Sequence, residues 1–209
     1  MPDSLRVVTF NIKYAVRVNE AIAVLATDRA LANADEAYEV QQRVAAALGW
    51  FAGGAPRHWK SGGPGRSQPL THAPLPPAGV WASPGDATRW PLHTRLVESE
   101  IALRLGRAVD AALAAELDLA SAAALVDAMA VSIEIVDSRW QQGLAAPALL
   151  RLADLASHAA LVLGEWRPFE RRDWSAQGGG LQAGGATGQG RCGGDACRCL
   201  ALRRTVRRG

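Results

Sequence analysis

Cysteine is absent from most of this sequence of 209 residues, which excludes a small protein held together by disulfide bonds. All three cysteines lie in the tail, at Cys192, Cys197 and Cys199, so disulfide bonds do not staple the body of the chain. Their C-x4-C-x-C spacing falls one ligand short of a structural zinc site, and no histidine follows Cys199. We therefore predict neither a disulfide framework nor a zinc knuckle.

Long apolar runs are missing as well. No run of about 18 apolar residues, the minimum for a membrane-spanning helix, occurs in the chain. The first residues, Met1-Pro2-Asp3-Ser4, lack the basic and then apolar layout of a secretory signal. We therefore expect a cytoplasmic protein with no membrane partner.

Positive charge is scarce outside the tail, although the chain has a formal net charge of +3. From Ser175 onward six arginines stand against one acid, Asp195, so the residues before Ser175 together carry a net negative charge. Binding of nucleic acid requires lysines or arginines lined up on a folded face, because they replace the counterions of the phosphates. The body has no such excess, and we expect no nucleic-acid partner.

Hydrophobic patterning predicts alternating helices and strands before Ser175. The β-branched, apolar stretch 5–12 predicts a buried strand, and Asn19 is suited to cap a helix over 20–31. The other predicted elements are helices over 35–48, 109–130 and 146–156, strands over 94–105, 131–136 and 159–163, and Gly- and Pro-rich loops with short extended pieces over 53–85. Residues 178–209 show neither helical nor strand periodicity, and we predict that they form no packed structure.

Acidic residues occur on two of the predicted strands, where an uncompensated carboxylate is costly. Glu98 and Glu100 are two residues apart and therefore point to the same side of a strand, and Glu134 stands between Ile133 and Ile135 on another. Three converging carboxylates would form a site for a hard cation, since Mg²⁺ and Mn²⁺ prefer oxygen ligands. Spacing alone leaves open the alternative that Glu98 and Glu100 face solvent from a half-exposed strand.

Several motifs resemble those of the 2-keto-4-pentenoate hydratases, a family of the fumarylacetoacetate hydrolase superfamily. Residues 96–102, LVESEIA, resemble the family's E-x-E-I-A motif, and residues 133–139, IEIVDSR, resemble its E-I-V-D-S-R motif. Upstream, AYEVQ at residues 37–41 is similar to an A-Y-x-V-Q helix of the family. Downstream, ADLAS at 153–157 and LVLG at 161–164 are similar to its A-D-N-A-S and F-V-L-G elements, although Leu155 replaces the frequent Asn. The motifs follow the family order over about residues 37–174.

The resemblance implies a set of site residues. Glu98, Glu100 and Glu134 would bind Mg²⁺ or Mn²⁺, which would chelate a small 2-keto acid substrate through its carboxylate and keto oxygens. Lys60 matches a family lysine and would serve as a proton shuttle or carboxylate anchor, and Ser157 would position water or substrate. For these two residues the alternatives are a surface lysine in a loop and an ordinary hydroxyl near a helix end.

The resemblance also implies a fold and an activity. We expect an α+β fold, namely a mixed β-roll of the fumarylacetoacetate hydrolase type with N-terminal helices, incomplete at its C-terminus, that forms a homo-oligomer. The implied function is that of a metal-assisted hydratase, a lyase that adds water to a 2-hydroxy-dienoate or 2-keto-enoate in the catabolism of aromatic compounds. A 2-keto diacid decarboxylase and an acylpyruvate hydrolase are the alternatives within the superfamily.

The two ends of the chain do not match the hydratase family. In the foreign segment 1–36, residues 5–12 resemble the opening strand of the endonuclease/exonuclease/phosphatase family, with Asn11 at the position beside its catalytic metal. Residues 175–209 form a low-complexity tail of Gly, Arg and Cys, as a gene fusion or a shifted reading frame would produce. We therefore expect a truncated hydratase-like domain over 37–174 with weak metal binding and little activity. The alternatives from other classes are a metal-dependent phosphodiesterase and an inactive fragment.

Overall fold

The structure is a computed structural model that describes most of the chain between Leu31 and Arg171. It describes residues 31–52, 54–63, 69–88, 90–94 and 96–171, together with the backbone of residues 176–183, 186–193 and 200–201. The predicted strand over 5–12 with Asn11, and the helix that Asn19 was expected to cap, up to residue 30, lie outside the described residues.

Two compact units make up the chain. The first comprises the residues up to Val80 together with Asp86–Leu96 and Ile135–Ala160. The second comprises Trp81–Gly85, Val97–Glu134 and the residues from Leu161 onward.

Helix α1 of the first unit spans Ala34–Ala47, close to the helix predicted over 35–48. It is capped by Asn33, whose side-chain oxygen accepts a hydrogen bond from the backbone N–H of Glu36 at 3.0 Å. This bond satisfies one of the donors that the first turn of a helix leaves without an intrahelical partner. Ala37, Gln41 and Ala45 are buried at intervals of four residues, so one face of the helix is turned to the core.

The buried face of α1 packs against helix α4, which spans Ala148–Ala153. Ala37, Leu152 and Ala153 form a small apolar cluster there. Beside it, the side-chain nitrogen of Gln41 donates a buried hydrogen bond to the carbonyl of Leu152 at 2.6 Å, which gives this polar group the partner that burial demands. Helix α4 is shorter than the predicted helix over 146–156, because Leu155–Ser157 forms a separate 3-10 turn.

Short strands lie within the predicted loop region. Strands β1, Trp59–Gly62, and β2, Thr71–Pro74, pair antiparallel with Lys60 opposite Ala73. A 3-10 turn over Pro77–Gly79 leads into strand β3, Val80–Ala82. These pieces agree with the prediction of loops with short extended segments.

The largest sheet contains six of the described strands. Besides β3 these are β4, Leu96–Leu105, β5, Val126–Val136, β6, His158–Leu163, β7, Arg167–Pro168, and β10, Leu200–Ala201. Four of them follow one another in the order β4-β5-β6-β3, with β10 beside β4 and β7 paired to β5. The predicted α+β class is confirmed, whereas the β-roll and its incompleteness stay predictions.

The segment predicted as one helix over 109–130 contains two short helices and the start of a strand. Helix α2 spans Ala111–Glu116 and helix α3 spans Leu119–Ala124, and each is capped by an aspartate, Asp110 and Asp118. The helix prediction for residues 126–130 is wrong, because β5 begins at Val126. Within this stretch Ala128 and Ala130 are buried at the period of two that a strand imposes, and pairing with neighbouring strands outweighs the helix preference of alanine.

The sequence analysis predicted no packed structure for residues 178–209, but the backbone of the tail forms a hairpin. Strand β8, Ala176–Ala183, pairs antiparallel with strand β9, Ala186–Gly193. Such pairing uses main-chain donors and acceptors, which glycine supplies as well as any other residue. It therefore needs no periodic pattern of side chains, and nothing in the sequence indicated it. The division of the chain at residues 36 and 174 stays a prediction.

Candidate metal centre

Three glutamates of the second unit bring their carboxylates together. Glu98 and Glu100 lie half-buried on one side of β4, whereas Ser99 and Ile101, which alternate with them, are exposed. Glu134 lies on the neighbouring strand β5 and is only 1% exposed. One oxygen atom of each carboxylate lies within 4.8 Å of one from each of the others. The predicted convergence is therefore confirmed, and the role of these residues as metal ligands stays a prediction.

This grouping of like charges is unfavourable unless a positive charge compensates it. Two carboxylates about 5 Å apart in a partly buried site repel each other by about 3 kcal/mol at an effective dielectric constant of about 20. A divalent cation among them reverses the sign of the local interaction, because each carboxylate then faces a charge of the opposite sign. Three carboxylate oxygens also suit a hard cation such as Mg²⁺, Mn²⁺ or Ca²⁺ better than a soft one.

A buried serine on β5 provides an independent test of this fit. Ser132 is 2% exposed and precedes Glu134 by two residues, which places both side chains on the same side of the strand. Within the described part of the chain its hydroxyl oxygen has no hydrogen-bond partner. Buried polar atoms normally have a protein or water partner, so a hydrated ion at this place would satisfy the hydroxyl. The residues present therefore fit a divalent cation with oxygen ligands.

Asp137 follows β5 in the first unit and is held by backbone donors. Its carboxylate accepts hydrogen bonds from the N–H groups of His93 at 3.0 Å and Thr94 at 2.7 Å, and the His93 ring nitrogen lies 3.4 Å away. Burial alone would raise the pKa of Asp137, but the backbone donors outweigh it and hold the pKa below its ordinary value. Asp137 is therefore ionised, and its carboxylate holds the segment before β4 through the N–H groups of His93 and Thr94.

Arg139 and Asp154 form a largely buried ion pair in the first unit. The guanidinium of Arg139 binds the Asp154 carboxylate through Nε and donates to two backbone carbonyls, those of His158 and Asp154, both at 2.9 Å. The backbone N–H of Arg139 also donates to the Asp154 carboxylate at 3.0 Å. Burial raises the pKa of Asp154, and the charge and hydrogen bonds of Arg139 oppose that rise.

The turn that follows Asp154 has an uncommon backbone conformation. Leu155, Ala156 and Ser157 have φ angles of 53°, 52° and 63°, a left-handed conformation that residues with a Cβ atom rarely adopt. Each such residue costs about 1–2 kcal/mol. The hydrogen bonds of Arg139 to the two ends of this turn, at Asp154 and His158, hold it in place.

Lys60 and Ser157 meet at this turn. The Lys60 Nζ donates to the carbonyl of Ala156 at 3.2 Å, and Ser157 is 4% exposed, with its carbonyl accepting from the backbone N–H of Asp137 at 3.0 Å. Both belong to the first unit, whereas the three glutamates belong to the second. The predicted site residues therefore form two groups, one in each unit, and the catalytic roles of Lys60 and Ser157 stay predictions.

Three residues with a part in these groups were missed by the sequence analysis. Arg139 is the last residue of the motif IEIVDSR, and Asp154 is the second residue of ADLAS. Nothing in the sequence of these two loops indicated that the two charges pair. Ser132 could have been found, since it stands two residues before a glutamate that was already placed on a buried strand.

Comparison with known proteins gives a likeness of fold. No protein-family model matches the chain, and no curated protein sequence matches it. Two solved structures of 4-oxalocrotonate decarboxylase from Pseudomonas putida G7 are similar to it. The complex with magnesium and adipate gives a TM-score of 0.53 and the complex with calcium and acetate gives 0.51, both at 19% sequence identity over 70% of this chain.

The extent of this likeness limits what it carries over. The chain spans 57% and 56% of the length of the two decarboxylase structures. At 19% identity the match concerns the fold alone. The two structures of this decarboxylase hold a divalent cation, magnesium in one and calcium in the other.

Proposed function

We propose that this chain carries the metal site of a hydratase, a lyase that adds water to a 2-hydroxy-dienoate or 2-keto-enoate in the catabolism of aromatic compounds. The observation that carries the proposal is the convergence of Glu98, Glu100 and Glu134 to within 4.8 Å. The hydratase-like motifs around these glutamates support it. A fold similar to that of a decarboxylase from the same superfamily supports it as well.

Mg²⁺ or Mn²⁺ is the proposed cofactor. Glu98, Glu100 and Glu134 would hold it with three oxygens, which leaves other coordination positions for water and a 2-keto acid. When bound, the cation supplies positive charge that stabilises the negative charge developing on the keto oxygen. Glu134 is the most buried of the three residues, so its carboxylate would interact with the cation most strongly, since solvent screens it least.

Lys60 and Ser157 are the proposed catalytic residues. Lys60 carries a compact ammonium, tethered to the carbonyl of Ala156, which can anchor a carboxylate. An ammonium can also release and take up a proton at Nζ, which a guanidinium cannot. The buried hydroxyl of Ser157 can donate one hydrogen bond and accept two, so it is suited to orient a water molecule or a substrate oxygen.

Decarboxylation of a 2-keto diacid is the second candidate function. It is favoured by the identity of the similar solved structures, which are of 4-oxalocrotonate decarboxylase. Hydrolysis of an acylpyruvate uses the same kind of metal site and stays a third possibility. A phosphodiesterase rests on Asn11, outside the described residues, and an inactive fragment is an outcome that the experiment below detects.

Turnover of 2-hydroxypenta-2,4-dienoate by the purified 209-residue chain tests the proposal. The absorbance of the diene is followed with and without Mg²⁺, and release of CO₂ from 4-oxalocrotonate is measured in parallel. Since we expect weak activity, binding of Mn²⁺ is titrated in the same samples. Glu134→Gln should abolish binding and turnover, while Glu116→Gln, an exposed acid on α2, should change neither.

The outcomes of this experiment separate the candidates. Mg²⁺-dependent loss of the dienoate supports the hydratase, and Mg²⁺-dependent release of CO₂ from the diacid alone supports the decarboxylase. Binding of Mn²⁺ without turnover of either substrate indicates an inactive chain with an intact metal site. Absence of Mn²⁺ binding would contradict the proposed function itself.

The remaining expectations concern location and partners. No helix in the described part of the chain is long and apolar enough to cross a membrane. A cytoplasmic location, a small 2-keto acid as substrate, assembly as a homo-oligomer and the lack of nucleic-acid and membrane partners stay predictions.

A further inference from the structure

Ser132 is a buried polar residue that the proposed function does not use. It is 2% exposed, and its hydroxyl oxygen makes no hydrogen bond to any described residue. A buried hydroxyl without a partner is unfavourable, because it has lost its bonds to water and gained none in return. Such an atom calls for a partner other than the side chains and backbone groups of the described residues.

The burial pattern of β5 shows to which side the Ser132 side chain points. Residues at the positions of Ser132 and Glu134, together with Ala128 and Ala130, are buried in alternation with the half-buried or exposed residues between them. Side chains two residues apart on a strand lie on the same face, separated by about 7 Å along the chain. Ser132 therefore lies on the face of the sheet that carries the Glu134 carboxylate.

The same face also carries the other two carboxylates. Glu98 and Glu100 lie on β4, the neighbour of β5 in the sheet, and their oxygens lie within 4.8 Å of that of Glu134. On the other side of Ser132 along β5 the same-face residues are alanines, Ala130 and Ala128, whose side chains have no polar atoms. The glutamate cluster is therefore the polar environment that the strand offers to this hydroxyl.

We propose that Ser132 is a further member of the metal site, whose hydroxyl hydrogen-bonds an oxygen ligand of the cation held by Glu98, Glu100 and Glu134. This inference rests on the proposed function. A hard cation with three protein oxygens keeps water or takes substrate oxygens at its remaining positions, and those ligands need hydrogen-bond partners of their own. A neutral hydroxyl is a poor competitor of three carboxylates as a direct ligand, but it is a good partner for such an oxygen.

Substitution of Ser132 by alanine tests the inference on the full chain, with Mn²⁺ as the probe. The affinity for Mn²⁺, measured by calorimetry, should fall on the order of 10-fold, as is typical when a hydrogen-bond partner of a metal ligand is removed. The melting temperature without metal should stay equal or rise, because an unsatisfied buried hydroxyl has been removed. A purely structural role for Ser132 predicts no change in affinity, so the two measurements together are diagnostic.

Two further variants control the experiment. Ser99→Ala makes the same substitution on β4 at an exposed position of the opposite face and should leave the Mn²⁺ affinity unchanged. Ser132→Cys keeps the shape of the side chain, with a larger sulfur in place of oxygen, and replaces the hydroxyl by a weak hydrogen-bonding group, so it should bind Mn²⁺ as weakly as Ser132→Ala. The second variant keeps the test valid if the alanine substitution were to disturb the strand.

Addition of oxalate identifies the oxygen that Ser132 contacts. A loss of affinity with Mn²⁺ alone indicates that the partner is a water molecule, and a loss that occurs only in the presence of oxalate indicates an oxygen of the organic acid. Either result supports the inference. Wild-type affinity in both Ser132 variants, with and without oxalate, would overturn it while leaving the metal site intact if Glu134→Gln still abolishes binding. If the wild-type chain binds no Mn²⁺, the inference and the proposed function both fail.

Discussion

Replacement of Arg139 by methionine should lower the free energy of unfolding by about 3–5 kcal/mol, the usual cost of leaving one member of a buried ion pair alone. The structural reason is the position of Asp154, whose side chain is 9% exposed. In the variant its carboxylate keeps the backbone donor of residue 139 but loses the guanidinium, and the carbonyls of Asp154 and His158 lose their Arg139 donors. Methionine is of similar length, so the effect comes from the lost charge and hydrogen bonds more than from lost volume.

The reverse substitution should be milder. Asp154→Asn leaves the arginine without its counter-charge, but the Arg139 side chain is 27% exposed and water can solvate part of it. The amide oxygen of asparagine also still accepts a hydrogen bond, so we expect a loss of about 1–2 kcal/mol, in the range of a hydrogen bond to a charged group. The order of the two effects, with Arg139→Met the larger, is the specific expectation.

A second contribution comes from the left-handed turn. The left-handed conformation of Leu155, Ala156 and Ser157 is unfavourable by about 1–2 kcal/mol for each residue, and the Arg139 contacts help to offset this. In Arg139→Met this turn should relax, and amide hydrogens of residues 155–157 should exchange with solvent faster than in the wild type. Since the free energy of unfolding of an ordinary domain is about 5–15 kcal/mol, a loss of this size is large enough to measure.

Urea unfolding followed by circular dichroism measures these differences. Arg151→Met is the matched control, because Arg151 on α4 makes one side-chain hydrogen bond, to the carbonyl of Ala146 at 3.1 Å, and should lose only about 1 kcal/mol. The double variant Arg139→Met with Asp154→Leu removes both charges and should recover part of the stability. An Arg139→Met variant as stable as Arg151→Met, or a double variant less stable than either single one, would refute this account of the pair.

Two other predictions concern the first unit. Gly79→Ala should destabilise the fold by about 1–3 kcal/mol, because the added Cβ would lie 2.9 Å from the backbone carbonyl of Ala159, while Gly62→Ala, with open space around it, should be nearly neutral in the same thermal unfolding assay. For Asp137 the lowered pKa means that the ionised carboxylate stabilises the fold above its ordinary value of 3.8 and that this contribution is lost as the pH falls below it. The urea stability of Asp137→Asn should therefore fall less steeply than that of the wild type below that pH, and equal slopes would contradict the assignment.

Sequence patterns predicted the strands of the metal centre better than the segment between them. Polar residues among β-branched ones mark β4 and the second half of β5, because a carboxylate in a buried strand stands out against its neighbours. The first half of β5, with Ala128 and Ala130, is composed of residues that suit a helix, and only its pairing in the sheet determines that it is a strand. The break at Asp118 was visible in principle, since Asp118 and Ser121 form a capping box.

The turn of Lys60 and Ser157 shows a different limit of sequence reasoning. A positive φ angle at glycine can be anticipated, but Leu155, Ala156 and Ser157 carry no local sign of one. The conformation depends on Arg139, which is distant from the turn in sequence and reaches both of its ends. A resemblance of motifs placed Ser157 among the site residues, but it could not predict the backbone that presents it.

The buried and half-buried carboxylates of the described residues fall into two kinds, those that stand singly and those that are grouped. Asp137 is matched by backbone N–H groups, and Asp154 by a guanidinium, so each of these carboxylates is neutralised or hydrogen-bonded by the fold itself. The three glutamates are of the second kind, because they bring three carboxylates within 4.8 Å of one another beside a buried hydroxyl that has no partner among the described residues. The mutual repulsion of like charges opposes such a grouping. We propose that a divalent cation would reduce this repulsion and that its ligand oxygens would give the hydroxyl a partner, so that one ion would account for both features.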